Sequence, residues 1–317
     1  MRIIFLGTPK FAVPSLEALV KEKHETLLVI SQPDRETDRK GNLLPTPVKE
    51  CTTKLNLPFL SCDNVNQITE ELKALKPDVL ITVAFGQMLG DDFLSIAPTL
   101  NVHASLLPLY RGASPIQASI LVGDKKTGIT IMQTVKKMDA GDILLQRDID
   151  IKTTDTYETL HDKLSVLGAR TLTEVLKQLK EGNIKQIPQD EIKATYTKKI
   201  IKTSGSIDWS KSAEDIERQI RAYNPWPSAY STYAQTGEII KFYSAIAHKT
   251  HTLSDILQGL SDITASNGTI LHSSPQNGLF IKCGLDILQI TSLQAPSKKI
   301  LPSSEFLLGR NLIGKFE

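Results

Sequence analysis

The chain has 317 residues, of which 40% are hydrophobic and 23% charged, a profile typical of a folded globular protein long enough for two domains. Its 37 basic and 35 acidic residues leave a formal net charge of +2, which excludes a uniformly basic surface of the kind that binds nucleic acid nonspecifically. Any contact with a polyanion must therefore come from local clusters of lysine and arginine.

The first half of the chain alternates apolar strands with amphipathic helices. Strands are predicted at residues 2–7, 27–31, 78–84 and 99–103, and helices at residues 14–22, 68–75 and 115–121. This βαβ rhythm predicts an α/β fold with a doubly wound, mainly parallel, Rossmann-like sheet. Residues 128–133 and 143–151 alternate polar and apolar side chains, which predicts a hairpin-like edge. Leucines at helical spacing predict a long helix over residues 157–179.

The second half has a different pattern. After a first domain at residues 1–180, a polar stretch with several lysines predicts a linker at residues 181–206. A helix and several short strands, separated by Gly, Ser and Asn, then predict a small β-barrel domain at residues 207–317.

Cysteine usage and hydropathy bear on the compartment. Cys51, Cys62 and Cys283 form no CxxC pair, so we expect neither a disulfide framework nor a thiolate zinc site. The apolar run at residues 2–7 is too short for a signal segment or a membrane span. These features favour a reducing cytoplasm and predict no membrane association.

Three polar residues are candidates for one site. Asn101 and His103 share the parity of one predicted strand, so both side chains point to one face. Asp139 lies in a turn of the predicted hairpin, from which it is free to reach back toward the imidazole. Amide, imidazole and carboxylate together suit one acyl transfer beyond the carboxyl end of a strand. Taken alone, an Asn-x-His at a strand end is more often turn chemistry with a satisfied histidine than a catalytic pair.

Two other motifs argue against a tightly bound cofactor. A Gly-Thr-Pro turn at residues 7–9 follows the first predicted strand, but the three spaced glycines of a dinucleotide fingerprint are absent. His248 and His251 follow a predicted strand and have no Cys or Glu close by at ligand spacing. We therefore expect neither a nicotinamide or flavin dinucleotide nor a metal.

Five motifs, specific in combination and spread over nearly the whole chain, carry a resemblance to a known family. They are Gly-Thr-Pro at 7–9, Gln-Pro-Asp-Arg at 32–35, Pro-x-Pro-Val-Lys at 45–49, Asn-Val-His-x-Ser-Leu-Leu-Pro at 101–108 and Asn-Pro-Trp-Pro at 224–227. The chain resembles the folate-dependent formyltransferase family, and within it the members that formylate methionyl-tRNA. The resemblance implies an OB-like form for the C-terminal barrel and a tRNA-binding role for it.

The resemblance also implies the reaction. Its formyl donor would be 10-formyltetrahydrofolate and its acceptor the α-amine of initiator methionyl-tRNA, without a metal or an obligate protein partner. Asn101 and a protonated His103 would stabilise the oxyanion of the tetrahedral intermediate. Asp139 would orient His103 and take the proton from the attacking nitrogen.

A folate site made of three loops follows from the same resemblance. These loops contain Phe85, Gly86, Gln87, Met88 and Leu89, then Ser105, Leu106, Leu107 and Pro108, and finally Gly141 and Asp142. The chain departs from the family pattern at Phe85, Gly90 and Leu109, where the family usually has Tyr, Pro and Arg. The departures concern loop conformation and the charge near the tail of the donor.

Basic residues are the candidates for RNA contacts. Arg39 and Lys40 lie in residues 34–44, which match a basic family loop that enters the tRNA acceptor end, and we expect this loop to be mobile in the free protein. The other candidates are two lysine pairs, Lys198 with Lys199 and Lys298 with Lys299; a solvated charged face explains each pair equally well. Trp226 is expected to anchor packing rather than RNA.

Other functions stay open on the residues alone. A formyl-folate hydrolase, or a formyltransferase acting on a nucleotide-linked amino sugar or a glycinamide, could use the same three polar residues, although the Asn-Pro-Trp-Pro half disfavours them. A noncatalytic nucleic-acid binder explains the barrel but leaves these residues unexplained. A nucleotide-binding oxidoreductase explains the sheet but lacks the glycines.

Overall fold

The structure, a computed structural model, describes residues 1–38, 40–252 and 265–317. The chain divides into two compact units. Unit 1 comprises Met1–Pro115, Lys126–Asp150 and Thr159–Lys198, and unit 2 comprises Ile116–Lys125, Ile151–Glu158 and Lys199–Glu317. Within these described residues, every helix is too short or too polar to cross a membrane.

Unit 1 is built on a seven-stranded sheet with the order β3-β2-β1-β4-β5-β7-β8. The strands of the unit are β1 (Arg2–Gly7), β2 (Glu25–Ser31), β3 (Phe59–Ser61), β4 (Val79–Val83), β5 (Thr99–His103), β6 (Arg111–Gly112), β7 (Lys126–Gln133), β8 (Ile143–Asp150) and β9 (Tyr196–Thr197). Strands β1 to β5 pair in parallel. Their order is the one found in doubly wound folds, so the predicted α/β sheet is confirmed.

Helices connect these strands, and local sequence explains how they begin. In chain order they are α1 (Val13–Lys21), α2 (Pro47–Lys54), α3 (Thr69–Ala74), α4 (Asp91–Leu94), α5 (Pro115–Val122) and α6 (Tyr157–Lys180). Helix α2 starts at a cap, since Thr46 Oγ1 accepts a hydrogen bond of 3.2 Å from the Lys49 N–H and proline follows at the first helical position. All five residues of β4 are buried, as expected for a central strand covered on both faces.

The predicted hairpin is present, and its direction matters for the site. Strand β7 runs antiparallel to β5 and pairs with β8. The loop after β7 therefore leaves the sheet where β5 begins, and the Thr134 N–H donates to the Thr99 carbonyl at 2.7 Å. His103 lies at the other end of β5, so the loop that contains Asp139 must run back along the whole strand to reach it. The sequence pattern does not indicate this path.

Residues 181–198, which follow α6, fold onto unit 1. Ile187 forms a bridge with Ile143 at the start of β8. Further on, β9 pairs in parallel with β6. Part of the predicted linker thus supplies a strand next to the loop between β5 and β7.

Unit 2 is a small antiparallel sheet with helices packed against it. After α7 (Ala213–Ala222) its elements are β10 (Ala229–Tyr233), β11 (Glu238–His248), β12 (Ile270–Ser274), β13 (Gly278–Lys282), β14 (Ile287–Gln294), β15 (Leu301–Pro302) and α8 (Ser303–Phe306). The strand order is β10-β11-β14-β13-β12, with β15 beside β14. The helix and the short strands agree with the prediction for the second half of the chain.

The last residues of the chain close this sheet into a barrel. Phe316 bridges Tyr233 of β10, and Lys315 bridges Thr269 just before β12, so the two edge strands share one partner. The ring of Phe316 is 1% exposed. It lies 5.4 Å from the ring of Phe242 and 6.0 Å from that of Trp209, measured between centroids. The closing segment therefore also fills the barrel core.

We predict that Phe316→Ala lowers the free energy of unfolding of unit 2 by about 3–5 kcal/mol, because a buried ring is removed from the core and leaves a cavity. Both tryptophans of the chain, Trp209 and Trp226, lie in unit 2. Urea denaturation followed by tryptophan fluorescence therefore reports this transition.

The matched control is Ile313→Ala, in the same closing segment. The side chain of Ile313 is 62% exposed, so this change should alter the free energy of unfolding by less than about 0.5 kcal/mol. Equal destabilisation of the two variants would contradict a closing role that depends on the Phe316 ring.

Candidate active site

Asn101 lies on β5 beside Thr82, its register partner on β4. The Thr82 hydroxyl donates a hydrogen bond of 3.0 Å to Asn101 Oδ1. This contact fixes the orientation of the amide. Within the described residues Asn101 Nδ2 makes no hydrogen bond, so its two N–H groups are available to a substrate.

His103 ends β5 and is 5% exposed. Its Nε2 lies 3.0 Å from the carbonyl oxygen of Tyr110. Because a carbonyl oxygen only accepts, Nε2 carries a hydrogen. Nδ1 lies 3.7 Å from Asp139 Oδ2, beyond hydrogen-bond distance. Nδ1 is therefore the ring nitrogen left for chemistry, and a carboxylate faces it.

The Asp139 turn is held by backbone groups. Asp139 itself has a φ of 50°, and its Oδ2 accepts a hydrogen bond of 2.7 Å from the Gly112 N–H. Gly112 has a φ of +105°, and a Cβ there would lie 2.6 Å from the Thr197 carbonyl oxygen, so the position requires glycine. Gly141 closes the turn, and a Cβ there would overlap the carbonyl of Gln133.

Gln189 joins the two ends of this turn. Its Nε2 donates to the carbonyl oxygens of Asp139 at 2.8 Å and Gly141 at 2.7 Å. Its Oε1 accepts from Arg111 Nη2 at 2.8 Å and from Nε at 3.1 Å. One side chain thus connects the turn that carries Asp139 with the loop that follows His103.

Arg111 is fully buried, with 0% of its surface exposed. All five of its N–H groups have acceptors: Gln189 Oε1, both carboxylate oxygens of Glu191 and the hydroxyl of Tyr196. Burying a charge is costly unless every polar hydrogen is satisfied. The residues between Gln189 and Tyr196 meet that requirement together.

The same contacts change the pKa of Glu191. Hydrogen bonds from Arg111, and then from Lys137, lower the pKa of Glu191 from 4.5 to about 2. Because the pKa is lowered by folding, the contribution of this pair to stability is complete above pH 4.5 and disappears as the pH falls toward about 2. At neutral pH the pair is intact.

The first predicted folate loop follows β4. Phe85 and Leu89 pack into the hydrophobic core, whereas Met88 is 63% exposed. Gly86 has a φ of +80°, and a Cβ there would lie 2.7 Å from Gln32 Nε2. These positions therefore offer a ligand mainly backbone groups and the Met88 side chain.

Gln87 holds this loop in place through two hydrogen bonds of its side-chain amide. Its Oε1 accepts from the Val65 N–H at 2.8 Å, and its Nε2 donates to the Cys62 carbonyl at 2.7 Å. Both ends of the Gln87 amide are thus occupied by the protein. The residue acts as a support for the loop.

The second predicted folate loop follows His103. Ser105 is fully buried, and its hydroxyl donates to the Leu109 carbonyl at 2.6 Å. Thr130 binds both sides of the loop, since its Oγ1 donates to the Ser105 carbonyl at 2.6 Å and accepts from the Leu107 N–H at 3.1 Å. Leu107 is buried, whereas Leu106 and Pro108 are half-buried and Leu109 is exposed.

The third predicted folate segment belongs to the hairpin. Gly141 is the closing residue of the Asp139 turn, and the Asp142 carbonyl accepts from the Gln133 N–H at 2.9 Å. The Asp142 residue is half-buried. The described residues contain no group of three or more His, Cys, Asp or Glu side chains arranged to hold a metal ion.

The predicted RNA contacts are exposed. Lys40 and Lys198 belong to unit 1, and Lys199, Lys298 and Lys299 belong to unit 2; none of these five lysines forms an ion pair within the described residues. Arg39 lies outside the described residues. Among the described residues nearby, Asp38 Oδ1 accepts hydrogen bonds from the N–H groups of Lys40 at 2.7 Å and Asn42 at 2.9 Å.

Comparison with known proteins identifies the family. The formyl transferase model matches residues 1–176, and the model of the formyl transferase C-terminal domain matches residues 199–311. The methionyl-tRNA formyltransferase of Bacillus velezensis is 42% identical over 98% of this chain and 95% of its own length. That of Enterococcus faecalis is 42% identical over 99% of this chain and 98% of its own length. The chain belongs to the methionyl-tRNA formyltransferase family.

Solved structures share the fold at low identity. HypX from Aquifex aeolicus, solved with tetrahydrofolic acid, is 18% identical with a TM-score of 0.61, over 97% of this chain and 47% of that one. An N-formyltransferase from Helicobacter canadensis, solved with folinic acid and dTDP-3-aminofucose, is 17% identical with a TM-score of 0.64, over 91% of this chain and 98% of that one. At this identity the likeness concerns the fold alone.

Sequence reasoning misses several residues that shape this formyltransferase site. Thr82, Thr130, Gln189 and Glu191 have no role in the sequence-based prediction, although each binds a predicted site residue or its neighbours. Gln189 is 50 residues away from Asp139 along the chain. No local pattern marks such a contact. Only Thr82 has a signal, because it lies on the buried strand next to β5.

We predict that Gln189→Glu lowers the turnover of formyl transfer by about 100-fold, the size expected when a catalytic group moves by about 1 Å. The new carboxylate still accepts hydrogen bonds from Arg111. It lacks the N–H donors of Gln189, so a negatively charged oxygen would face the Asp139 and Gly141 carbonyl oxygens and repel them. Single-turnover kinetics at saturating substrate measure the effect. Folate affinity should change little.

Gln186→Glu is the matched control, because it makes the same change on an exposed side chain of the same segment. This variant should retain wild-type turnover. If turnover falls equally in both variants, added negative charge explains the decrease and Gln189 has no special part in positioning Asp139.

Proposed function

We propose that this protein transfers the formyl group of 10-formyltetrahydrofolate to the α-amine of methionine on initiator methionyl-tRNA. The proposal depends on one observation: Asp139 Oδ2 lies 3.7 Å from His103 Nδ1. His103 and Asn101 lie on the same strand, β5. Amide, imidazole and carboxylate are the groups that acyl transfer to an amine needs. Family membership supports these substrates, and the three cysteines, which form no disulfide framework, support a reducing cytoplasm as the proposed compartment.

The reaction forms one bond and breaks another. The methionyl nitrogen attacks the formyl carbon and gives a tetrahedral intermediate with an oxyanion. The bond from that carbon to N10 of the folate then breaks, the carbonyl forms again, and a proton released by the amine replaces the formyl group on N10. The products are formyl-methionyl-tRNA and tetrahydrofolate.

Each of the three residues has a separate part. Asn101 Nδ2 donates to the oxyanion, since Thr82 occupies only Oδ1. His103 in its protonated form donates through Nδ1, since Nε2 is bound to the Tyr110 carbonyl. Asp139 stabilises that charge and receives the proton of the attacking nitrogen, directly or through water. The amine titrates near neutrality and needs only partial help to become a nucleophile.

The substrates lie along the loops around β5. The folate ring is bound by backbone groups of residues 85–89, which follow β4, and by residues 105–108, which follow β5. Gly141 and Asp142 of the Asp139 turn complete the proposed site. The tRNA is held by Arg39 and Lys40 in unit 1 and by the lysine pairs at 198–199 and 298–299. Exposed lysines without ion pairs are available to phosphate.

The test incubates the protein with initiator and elongator methionyl-tRNA and with labelled 10-formyltetrahydrofolate. Acid-stable label on the initiator RNA is the expected product. Label released as formate, or transferred to an amino sugar or a glycinamide supplied in parallel, would replace this function with another in the same chemical class.

We predict that His103→Ala and Asp139→Asn each lower kcat by about two to three orders of magnitude, because both groups act on charge that develops in the transition state. Their effects should not add in the double variant. Pre-steady-state formylation measures turnover, and equilibrium binding of folate checks the site.

Asp148→Asn serves as the control. It removes one carboxylate from the exposed part of β8, where the Asp148 side chain is 55% exposed and pairs with Lys126. Turnover should stay at the wild-type level. Near-wild-type kcat in either the His103 or the Asp139 variant would remove that residue from the mechanism.

We also predict that replacing Lys198 and Lys199 with Ala raises the KM for tRNA and flattens its dependence on salt. Removing one lysine–phosphate interaction should reduce the slope of log affinity against log salt by about 0.9. Filter binding over a salt series measures that slope. Replacing the exposed helical lysines Lys21 and Lys73 is the control, and an equal change in slope there would mean that only net charge matters.

A further inference from the structure

The two tryptophans of the chain have opposite environments. Trp209 is 5% exposed in the barrel core, whereas Trp226 is 55% exposed. The expectation that Trp226 anchors packing is therefore wrong. Within the described residues its ring stacks on no other aromatic ring. An indole left in water on a folded domain is available to a ligand.

The backbone around Trp226 is fixed while its ring is exposed. Pro225 and Pro227 flank the residue. The Ser228 hydroxyl donates to the Pro225 carbonyl at 2.7 Å, and Asn224 Nδ2 donates to the Tyr243 carbonyl at 3.0 Å. The ring is thus presented from a held loop, which reduces the entropic cost of binding a ligand to it.

Tyr243 connects this loop to the lysine pair of unit 2. Its carbonyl accepts the hydrogen bond from Asn224 Nδ2, and its hydroxyl donates to Gln294 Oε1 at 2.9 Å. Gln294 Nε2 in turn donates to the Lys298 carbonyl at 2.7 Å. Two side chains, Tyr243 and Gln294, thus link the Trp226 loop to the turn that carries Lys298 and Lys299.

The charge of this surface indicates the kind of ligand. Lys298 and Lys299 are exposed, and neither forms an ion pair in the described part of the chain. An exposed planar ring, linked in this way to a turn with two exposed cations, fits a nucleobase with its phosphates, because the base stacks while the lysines neutralise the backbone. Double-helical RNA hides the faces of its bases, so only an unpaired nucleotide can stack in this way.

We infer that Trp226 is a stacking platform for an unpaired nucleobase of the RNA substrate, with Lys298 and Lys299 on its flanking phosphates. This inference rests on the proposed function and identifies the surface of unit 2 that binds the RNA. The lysines set the salt dependence of binding. The ring supplies affinity that does not depend on salt.

The test uses the ring itself as the reporter. In the Trp209→Phe variant of the full chain, Trp226 is the only tryptophan, and its emission should be quenched when initiator tRNA binds. A single-stranded oligonucleotide should also quench it, and a blunt RNA duplex should not. Should the Trp209 variant fail to fold, the difference in quenching between wild type and Trp226→Phe gives the same answer, because Trp209 is buried.

Binding of tRNA measured by filter assay supplies the second readout. Trp226→Ala should weaken it about tenfold or more, the size of one base stacked on an aromatic ring, and Trp226→Phe should weaken it less. The Trp226 variants should keep the wild-type salt slope, whereas a variant with Lys298 and Lys299 replaced by Ala should show a smaller one. Ile246→Ala removes another exposed apolar side chain of unit 2 and should leave affinity unchanged.

Two results would overturn the inference. One is Trp226 emission that does not change at saturating tRNA, and the other is unchanged affinity in Trp226→Ala. Either leaves the proposed function intact as long as the wild-type protein formylates methionyl-tRNA. Absence of formylation by the wild-type protein would instead remove the proposed function, and the quenching result would still decide whether this surface binds RNA.

Discussion

Burial of the Arg111 guanidinium is the constraint on which the active site depends. A cation with no exposed surface needs an acceptor for each of its five N–H groups, and all of them come from residues 189–196. Satisfying Arg111 therefore docks that segment beside the loop that follows His103. Docking in turn brings the Gln189 amide to the Asp139 turn. The position of the Asp139 carboxylate thus follows from the need to satisfy the buried Arg111 charge.

Much of the fold and the centre of the site follow from local sequence. In the first half, each strand or helix shows its own hydrophobic periodicity within a short segment. The alternation of these segments predicts the parallel sheet. Asn101 and His103 are two residues apart on one strand, so their shared face is a geometric necessity. The short strands of the C-terminal half are separated by clear turn residues, and they too agree with the structure.

The features that local sequence does not predict depend on distant partners. Arginine is usually exposed, so nothing local marks Arg111 as buried or its partners as 78 to 85 residues away. Residues 181–198 are polar, and the sequence therefore predicts a linker. Side chains that accept hydrogen bonds from the buried Arg111 cannot be distinguished in sequence from side chains that face solvent. Trp226 shows the converse error, since its large apolar ring suggests a core position although its loop holds the ring at the surface.

Segment 189–198 also connects the proposed catalytic residue Asp139 with Lys198, a proposed RNA contact. Strand β9 within it pairs with β6, and β6 contains Gly112, whose N–H holds the Asp139 carboxylate. Lys198 follows β9 directly. Binding energy from parts of a substrate remote from the reacting bond can be used to align the reacting groups. A tRNA phosphate on Lys198 would therefore act on the strand pair that positions Asp139. A free amino acid has no phosphate to place there and would gain none of that alignment.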